Sequence, residues 1–277
     1  MIEHNKDDGD ECHMKLFICP NQNTPQQIEA ARRVIESLER LPARCALTRA
    51  DSRLIFGDDS RAAFPPEESD MIVSIGGDGA VLRAAQTALA ADKPLLGVNG
   101  GRLGYLCALD LKDVDALTAE RLFAWPVSPR TLLSFEFGGQ AHVAVNDVVI
   151  AKKSFGSTVE LYASIGGASP LRLRGDGVII ATPTGSTAYN LSAGGPILLP
   201  DAGCFALTPI CAHASRQRAR VFGDSSEITL SPARPNLDDA GVYADGLALG
   251  ALTGPITLRR ADRALKLLAP RPVEGLD

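Results

Sequence analysis

From residue 14 onward, short and nearly continuous apolar runs take turns with stretches in which apolar residues recur every three or four positions. MKLFICP, starting at Met14, is of the first kind and predicts a strand. In the following TPQQIEAARRVIESLERL, residues Ile28, Ala31, Val34, Ile35, Leu38 and Leu41 keep helical spacing and so form one stripe along an amphipathic helix. Thr24 is placed to cap that helix and Pro25 to open it. MIVSIGG, AVLRAAQTALA and PLLGVN then repeat strand, helix, strand. Strands alternating with helices predict a parallel sheet with helices on its faces.

Near residue 122 the pattern changes. TLLSFEFGG, AHVAVNDVVIA, STVELYASIGG, LRLRGDGVIIAT, ARVFGDSSEITLSP and GPITLRRADRALKLLA are period-two or short apolar runs separated by glycine-rich turns. They predict a mainly antiparallel β region with a single helix. Two prolines in FAWPVSPR, Phe123 to Arg130, interrupt both patterns and mark the boundary. The expected organisation is a disordered extension, or the product of an upstream start codon, at 1–13, an α/β domain at 14–124 and a β-rich domain at 125–277.

With 277 residues, 45% of them hydrophobic, the chain can bury a large core. A formal net charge of -5 argues against a nucleic-acid partner, which calls for a basic face. Cys12, Cys19, Cys45, Cys107, Cys204 and Cys211 include no C-x-x-C pair and sit among apolar residues, as reduced core thiols do. His4, His13, His142 and His213 are isolated in sequence, so a metal cluster would need ligands from distant positions. The polar, acidic start MIEHNKDDGDECH lacks the character of a secretory signal, and no apolar run is long enough to span a membrane. A cytoplasmic protein without membrane or nucleic-acid partners is expected.

Chemistry concentrates in three glycine-rich loops. In DMIVSIGGDGAVLRAAQ, Gly76, Gly77, Asp78 and Gly79 fall between a strand and a helix. An Asp-Gly pair is common in hairpins, but the alanine-rich continuation does not alternate as a second strand must. A glycine turn that opens a helix aims backbone N–H groups at one point, where phosphate binds. Asp78 repels phosphate there, unless it accepts a proton from a hydroxyl nucleophile or meets phosphate through a divalent cation. There is no Walker sequence and no G-x-G-x-x-G after a strand. GVNGGRLGYL, Gly97 to Leu106, follows the next strand. Parallel strands end at one sheet edge, so both loops can line one crevice. The third stretch, RGDGVIIATPTGSTAYNLSAGGPILLP, gathers Thr184, Ser186 and Thr187 at the start of a short helix, more hydroxyls than one cap needs.

GGDG, GVNGGRLGYL, VNDVVI at Val145 to Ile150, RGDG at Arg174 to Gly177, TPTGSTAYNLSAGGPI at Thr182 to Ile197 and LTPICAH at Leu207 to His213 resemble, in order and spacing, the NAD kinase family. The resemblance spans about residues 70–260, and the TPTGSTAY-type segment is its most specific part. It implies an N-terminal α/β domain with a parallel sheet and flanking helices, and a mainly antiparallel β C-terminal domain, with the active site between them. It also implies phosphorylation of the 2'-hydroxyl of the adenosine ribose of NAD, with ATP or polyphosphate as donor and a divalent metal cation, Mg²⁺, as cofactor. Asp78 is then the proton acceptor. Gly79 and Arg83 continue the nucleotide contact, and Asn146 and Asp147 match the family's dinucleotide-binding pair. Arg174 and Asp176 match the pair before the central strand, and Thr187, Ala188, Tyr189, Asn190, Leu191 and Ser192 match the nucleotide-binding turn and helix. Tyr189 can stack on a base, and no residue is singled out as a metal ligand. A homodimer or homotetramer is implied as well.

Four departures stand out. Ala80 replaces the threonine that commonly follows GGDG, and ADGL, Ala244 to Leu247, replaces a DGQ-like element. ICAHA stands for ICPHS, and the ending APRPVEGLD is too proline-rich for the family's C-terminal helix. Two other readings stand beside NAD kinase: a GGDG-type lipid or nucleoside kinase, and a non-catalytic dinucleotide sensor.

Overall fold

The computed structural model describes residues 14–100, 104–213, 217–234 and 240–269. The expectations for the N-terminal extension and the C-terminal helix lie outside them. The chain forms two compact units, one reaching Pro129 and resuming at Leu265, the other spanning Arg130–Ala264.

In the first unit β1 (Met14–Pro20), α1 (Pro25–Leu38), β2 (Ala43–Ala46), α2 (Arg49–Phe56), β3 (Met71–Ile75), α3 (Asp78–Ala91), β4 (Leu95–Asn99), β5 (Leu109–Asp110), α4 (Ala119–Phe123) and β6 (Val127–Arg130) follow in order. Thr24 caps α1 as expected, and Gln27 closes a capping box with it, the Thr24 hydroxyl accepting from the Gln27 backbone amide at 3.3 Å and the Gln27 side-chain carbonyl from the Thr24 amide at 3.2 Å. The stripe residues Ala31, Val34, Ile35 and Leu38 are buried. The short elements β2 and α2, within ARCALTRADSRLIF, do not stand out in the apolar pattern.

β1, β2, β3 and β4 pair in parallel. β3 and β4 are buried along their whole length, which is why they read as continuous apolar runs. A later segment completes this sheet: the strand at Leu265–Leu268 pairs parallel with β4, giving the order β2-β1-β3-β4 and then this last strand and β6. The apolar pattern groups that strand with the second half, yet Leu265, Leu267 and Leu268 are buried beside β4. Trp125 Nε1 donates to the carbonyl of Ala269 at 3.0 Å and holds the return.

The second unit is a sandwich of two antiparallel sheets. One has the order β11 (Leu171–Gly175), β10 (Val159–Ile165), β15 (Ile228–Pro232), β18 (Ile256–Arg260), β7 (Leu133–Phe137), β8 (Gln140–Ala144). The other has the order β14 (Arg220–Gly223), β13 (Cys204–Ile210), β12 (Gly177–Ala181), β9 (Asp147–Lys152), β16 (Ala240–Ala244), β17 (Leu247–Ala251). Val148 and Ile150 of β9, Val178 and Ile180 of β12, and Leu207 of β13 face the core between the sheets. Their alternates Val149, Ile179 and Ala206 face outward and are covered in part by Ala193 and Leu198 of the segment that holds α5 (Tyr189–Ser192). Burial on both faces again explains a strand that does not alternate in sequence.

Candidate active site

β3 ends at Ile75, and Gly76, at φ 149°, turns the chain straight into α3. A Cβ on Gly76 would lie 2.7 Å from the Ala80 Cβ and 3.0 Å from that of Asn21, so only glycine allows so tight an entry. Asp78 is the first residue of α3. Its carboxylate accepts the amide hydrogens of Tyr105 at 3.0 Å and Leu106 at 3.1 Å. Those amides arrive because the chain after β4 doubles back over the strand. A Cβ on Gly97 would sit 3.0 Å from both the Leu106 carbonyl oxygen and the Cys107 Cα, and one on Gly104 would strike the Asp78 carboxylate.

The first two glycine loops therefore meet at one oriented carboxylate. Two amides occupy two of its roughly four acceptor directions, and the others can take a proton from a ligand hydroxyl. Helix geometry also leaves the Asp78 and Gly79 amides that open α3 without intrahelical acceptors, while that of Ala80 turns back to the Gly77 carbonyl at 2.8 Å, a setting that favours an anion. Gly79 and Arg83 are both exposed here. Ala80 is buried, 5% exposed, with its methyl beside Gly76, so this position faces the turn rather than open solvent. Cys107 Sγ donates to the Gly76 carbonyl at 3.5 Å, and burial together with the charges of Asp78 and Asp110 pushes its thiol up to about 12.

The second unit carries a cavity of about 370 Å³ lined by Asn146, Asp147, Val149, Ala151, Ala188, Tyr189, Tyr243, Asp245 and Gly246. Asp147, Val149 and Ala151 are every second residue of β9, which puts all three on one sheet face. The walls are apolar or aromatic, with carboxyl and amide groups at one end. That mix suits a flat ring system joined to a polyhydroxylated sugar. Burial raises the Asp147 carboxyl to about 7, and the neighbouring charge of Asp245 adds to the effect. Asn146 Oδ1 is buried without a hydrogen-bond partner, an acceptor left over for a ligand N–H.

Asp245 sits with Gly246 in the β16–β17 turn, both at positive φ (47° and 81°) as a two-residue hairpin requires. Its carboxylate accepts from the amides of Val145 (2.8 Å), Asn146 (2.7 Å) and Asp147 (3.2 Å). Burial raises its carboxyl while those amides act in the opposite direction. In sequence Asp245 shows only as part of ADGL, and Asp-Gly between apolar strands is the local signal of this turn. Leu247, the position at which the sequence resemblance implies glutamine, is 65% exposed.

The TPTGSTAY segment packs on the same strand entry. The Thr182 amide donates to the Asn146 carbonyl at 2.9 Å, and the Thr182 hydroxyl to the Val145 carbonyl at 2.6 Å. A Cβ on Gly185 would collide with the Asn146 backbone. Of the residues singled out here, Ala188 and Tyr189 reach the cavity. Thr187 is half-buried, its hydroxyl turned to the Thr184 carbonyl at 3.5 Å, and Leu191 and Ser192 are exposed. Asn190 points inward: its Nδ2 donates to the carbonyls of Ser186 and Pro196, and its Oδ1 accepts from the Thr208 hydroxyl. Every atom it could offer a ligand is engaged in holding the turn.

Arg174 and Asp176 are not brought to this cavity. Asp176 pairs with Lys152 at 2.7 Å. Lys152 closes β9 at the end opposite Asp147, and five residues of strand span about 17 Å. Arg174 lines a separate cavity of about 160 Å³ with Glu160 and Arg234. Among the described residues, no three His, Cys, Asp or Glu side chains are grouped to hold a metal ion, and no helix is long and apolar enough to cross a membrane.

Residues 43–124 match the model of the ATP-NAD kinase N-terminal domain and residues 145–255 that of the C-terminal domain. An NAD kinase of Koribacter versatilis is 38% identical over 220 residues, 76% of either chain, and one of Ruminiclostridium cellulolyticum is 30% identical over 263 residues, 92% of either chain. Among solved structures, a yeast NADH kinase complexed with NADH superposes with a TM-score of 0.80 at 23% identity, covering 94% of this chain and 84% of that one. An NAD kinase from Archaeoglobus fulgidus in complex with ATP does so with 0.72 at 24% identity, covering 92% and 93%. A carboxylate held at the start of α3, a largely apolar cavity on the β9 face and matches to both domains agree: the chain belongs to the NAD kinase family.

Proposed function

We propose that this NAD kinase transfers the terminal phosphoryl group of ATP to the 2'-hydroxyl of the adenosine ribose of NAD. The observation that carries the reading is the Asp78 carboxylate, fixed by two loop amides at the opening of α3. As the oxygen–phosphorus bond forms, the hydroxyl proton passes to Asp78, the bond to the departing diphosphate breaks and ADP leaves. A positioned base of this kind contributes about 10² to 10⁴ in rate. The Gly76–Gly79 turn and the first N–H groups of α3 receive phosphate. Asn146 and Asp147 take the amide and hydroxyl groups of the dinucleotide, and Tyr189 offers a ring for stacking.

No three His, Cys, Asp or Glu side chains are grouped among the described residues; a divalent cation brought in with the donor would neutralise phosphate charge. ATP is taken as donor because the archaeal relative is an ATP complex. The yeast relative's NADH makes the reduced dinucleotide a second acceptor to be tested. NADP formation by the purified chain from NAD, ATP and Mg²⁺ tests the reading, with polyphosphate and NADH as alternative substrates. Asp78→Asn is expected to lower kcat by about 10² or more while NAD binding persists. A wild-type chain that is inactive with every donor would refute it.

A further inference from the structure

The three amides held by Asp245 belong to consecutive residues, Val145, Asn146 and Asp147. The chain enters β9 here, and the last two of these residues line the cavity. Consecutive amides of an extended strand point to opposite sides, so a carboxylate that reaches three of them fixes a local bend. That bend presents the Asn146 and Asp147 side chains together. The contact spans about one hundred residues of sequence (separation 98 to 100) and has no counterpart in local structure.

We propose that Asp245 is a positioning residue for dinucleotide binding: its carboxylate bends the chain at 145–147, sets Asn146 and Asp147 toward the ligand, and couples its own charge to Asp147. The other titratable groups that line the cavity with Asp147 are Asp245, Tyr243 and Tyr189, and the lining includes no cation. The Asp245 charge therefore acts on Asp147 without a nearby counter-charge, in a site where charges are weakly screened. The ionised form of Asp147 accepts from ribose hydroxyls, so NAD binds that form.

Asp245→Asn removes the charge and one of the two acceptor oxygens while keeping the turn, because asparagine tolerates the positive φ of 47° as well as aspartate does. The inference rests on the cavity being the dinucleotide's, a premise that NAD titration of the wild-type chain checks separately and without turnover. Three results are expected for the variant. Its dissociation constant for NAD at about pH 8 rises roughly tenfold, the effect of losing one charge-assisted hydrogen bond. The pH at which NAD affinity falls off moves lower than in the wild-type chain. The amides of 145–147 exchange hydrogen faster.

A dissociation constant within twofold of wild type, an unmoved pH midpoint or unchanged amide exchange overturns the assignment. Should Asp245→Asn fail to fold, Asp147→Asn carries the test from the other side. Its NAD affinity loses the dependence on pH near neutrality while the three amides stay protected. A retained dependence, or amides that exchange freely, overturns the proposal.

Discussion

Replacing Asn190 by alanine separates a ligand contact from a structural one. The side chain is fully buried, and its three hydrogen bonds run 3.0 Å to the Ser186 carbonyl, 2.9 Å to that of Pro196 and 2.7 Å from the Thr208 hydroxyl. At about 1 kcal/mol each, with the three partners left unsatisfied in a dry site, the loss is about 3 to 5 kcal/mol. For a protein of this size that lowers Tm by about 10 °C. The Gly195 amide, which donates to the Asn190 carbonyl at 2.8 Å, keeps its backbone partner, so the turn loosens without being abolished. Scanning calorimetry and NAD titration well below the transition read the two effects separately. Thr208→Val, which removes one of the three bonds, should cost about 1 kcal/mol, and Ser192→Ala, on the exposed side of the same helix, within about 0.5 kcal/mol. A Tm within about 2 °C of wild type combined with weakened NAD binding would refute the reasoning and make Asn190 a ligand contact.

Gly104→Ala should lower kcat by about tenfold or more with little change in Tm, because the added methyl strikes the Asp78 carboxylate and misplaces it; steady-state kinetics with full activity would exclude this. The folded chain keeps a proton on Asp147 up to about pH 7, whereas the unfolded chain releases it near 3.8. Across that window the folded state binds more protons, so this group's contribution to stability falls as pH rises, and Asp147→Asn should flatten that part of the urea-midpoint profile. Alkylation with peptide mapping should label exposed Cys211 well before Cys45 and Cys107, whose thiols burial pushes up to about 12, and Cys19, at about 11.

What the sequence determined by itself is what short-range physics controls. The helical stripe from Ile28 to Leu38, the Thr24 cap and the passage from strand through Gly76 and Gly77 to Asp78 depend on backbone preferences within a few residues, and each is legible where it stands. The apolar runs also carry the change from a parallel to an antiparallel region, because burial on one or both faces writes itself into the period. The tertiary structure decided which of these pieces meet. Sheet order returns Leu265–Leu268 to β4 and sets Arg174 and Asp176 at the far end of β9 from Asp147. Packing turns Asn190 inward, although its neighbours in sequence face the cavity or solvent. Asp245 reaches Asn146 across 99 residues only because β16 lies beside β9 in register. Strand register is a property of the whole sheet, so no window of the sequence could contain it.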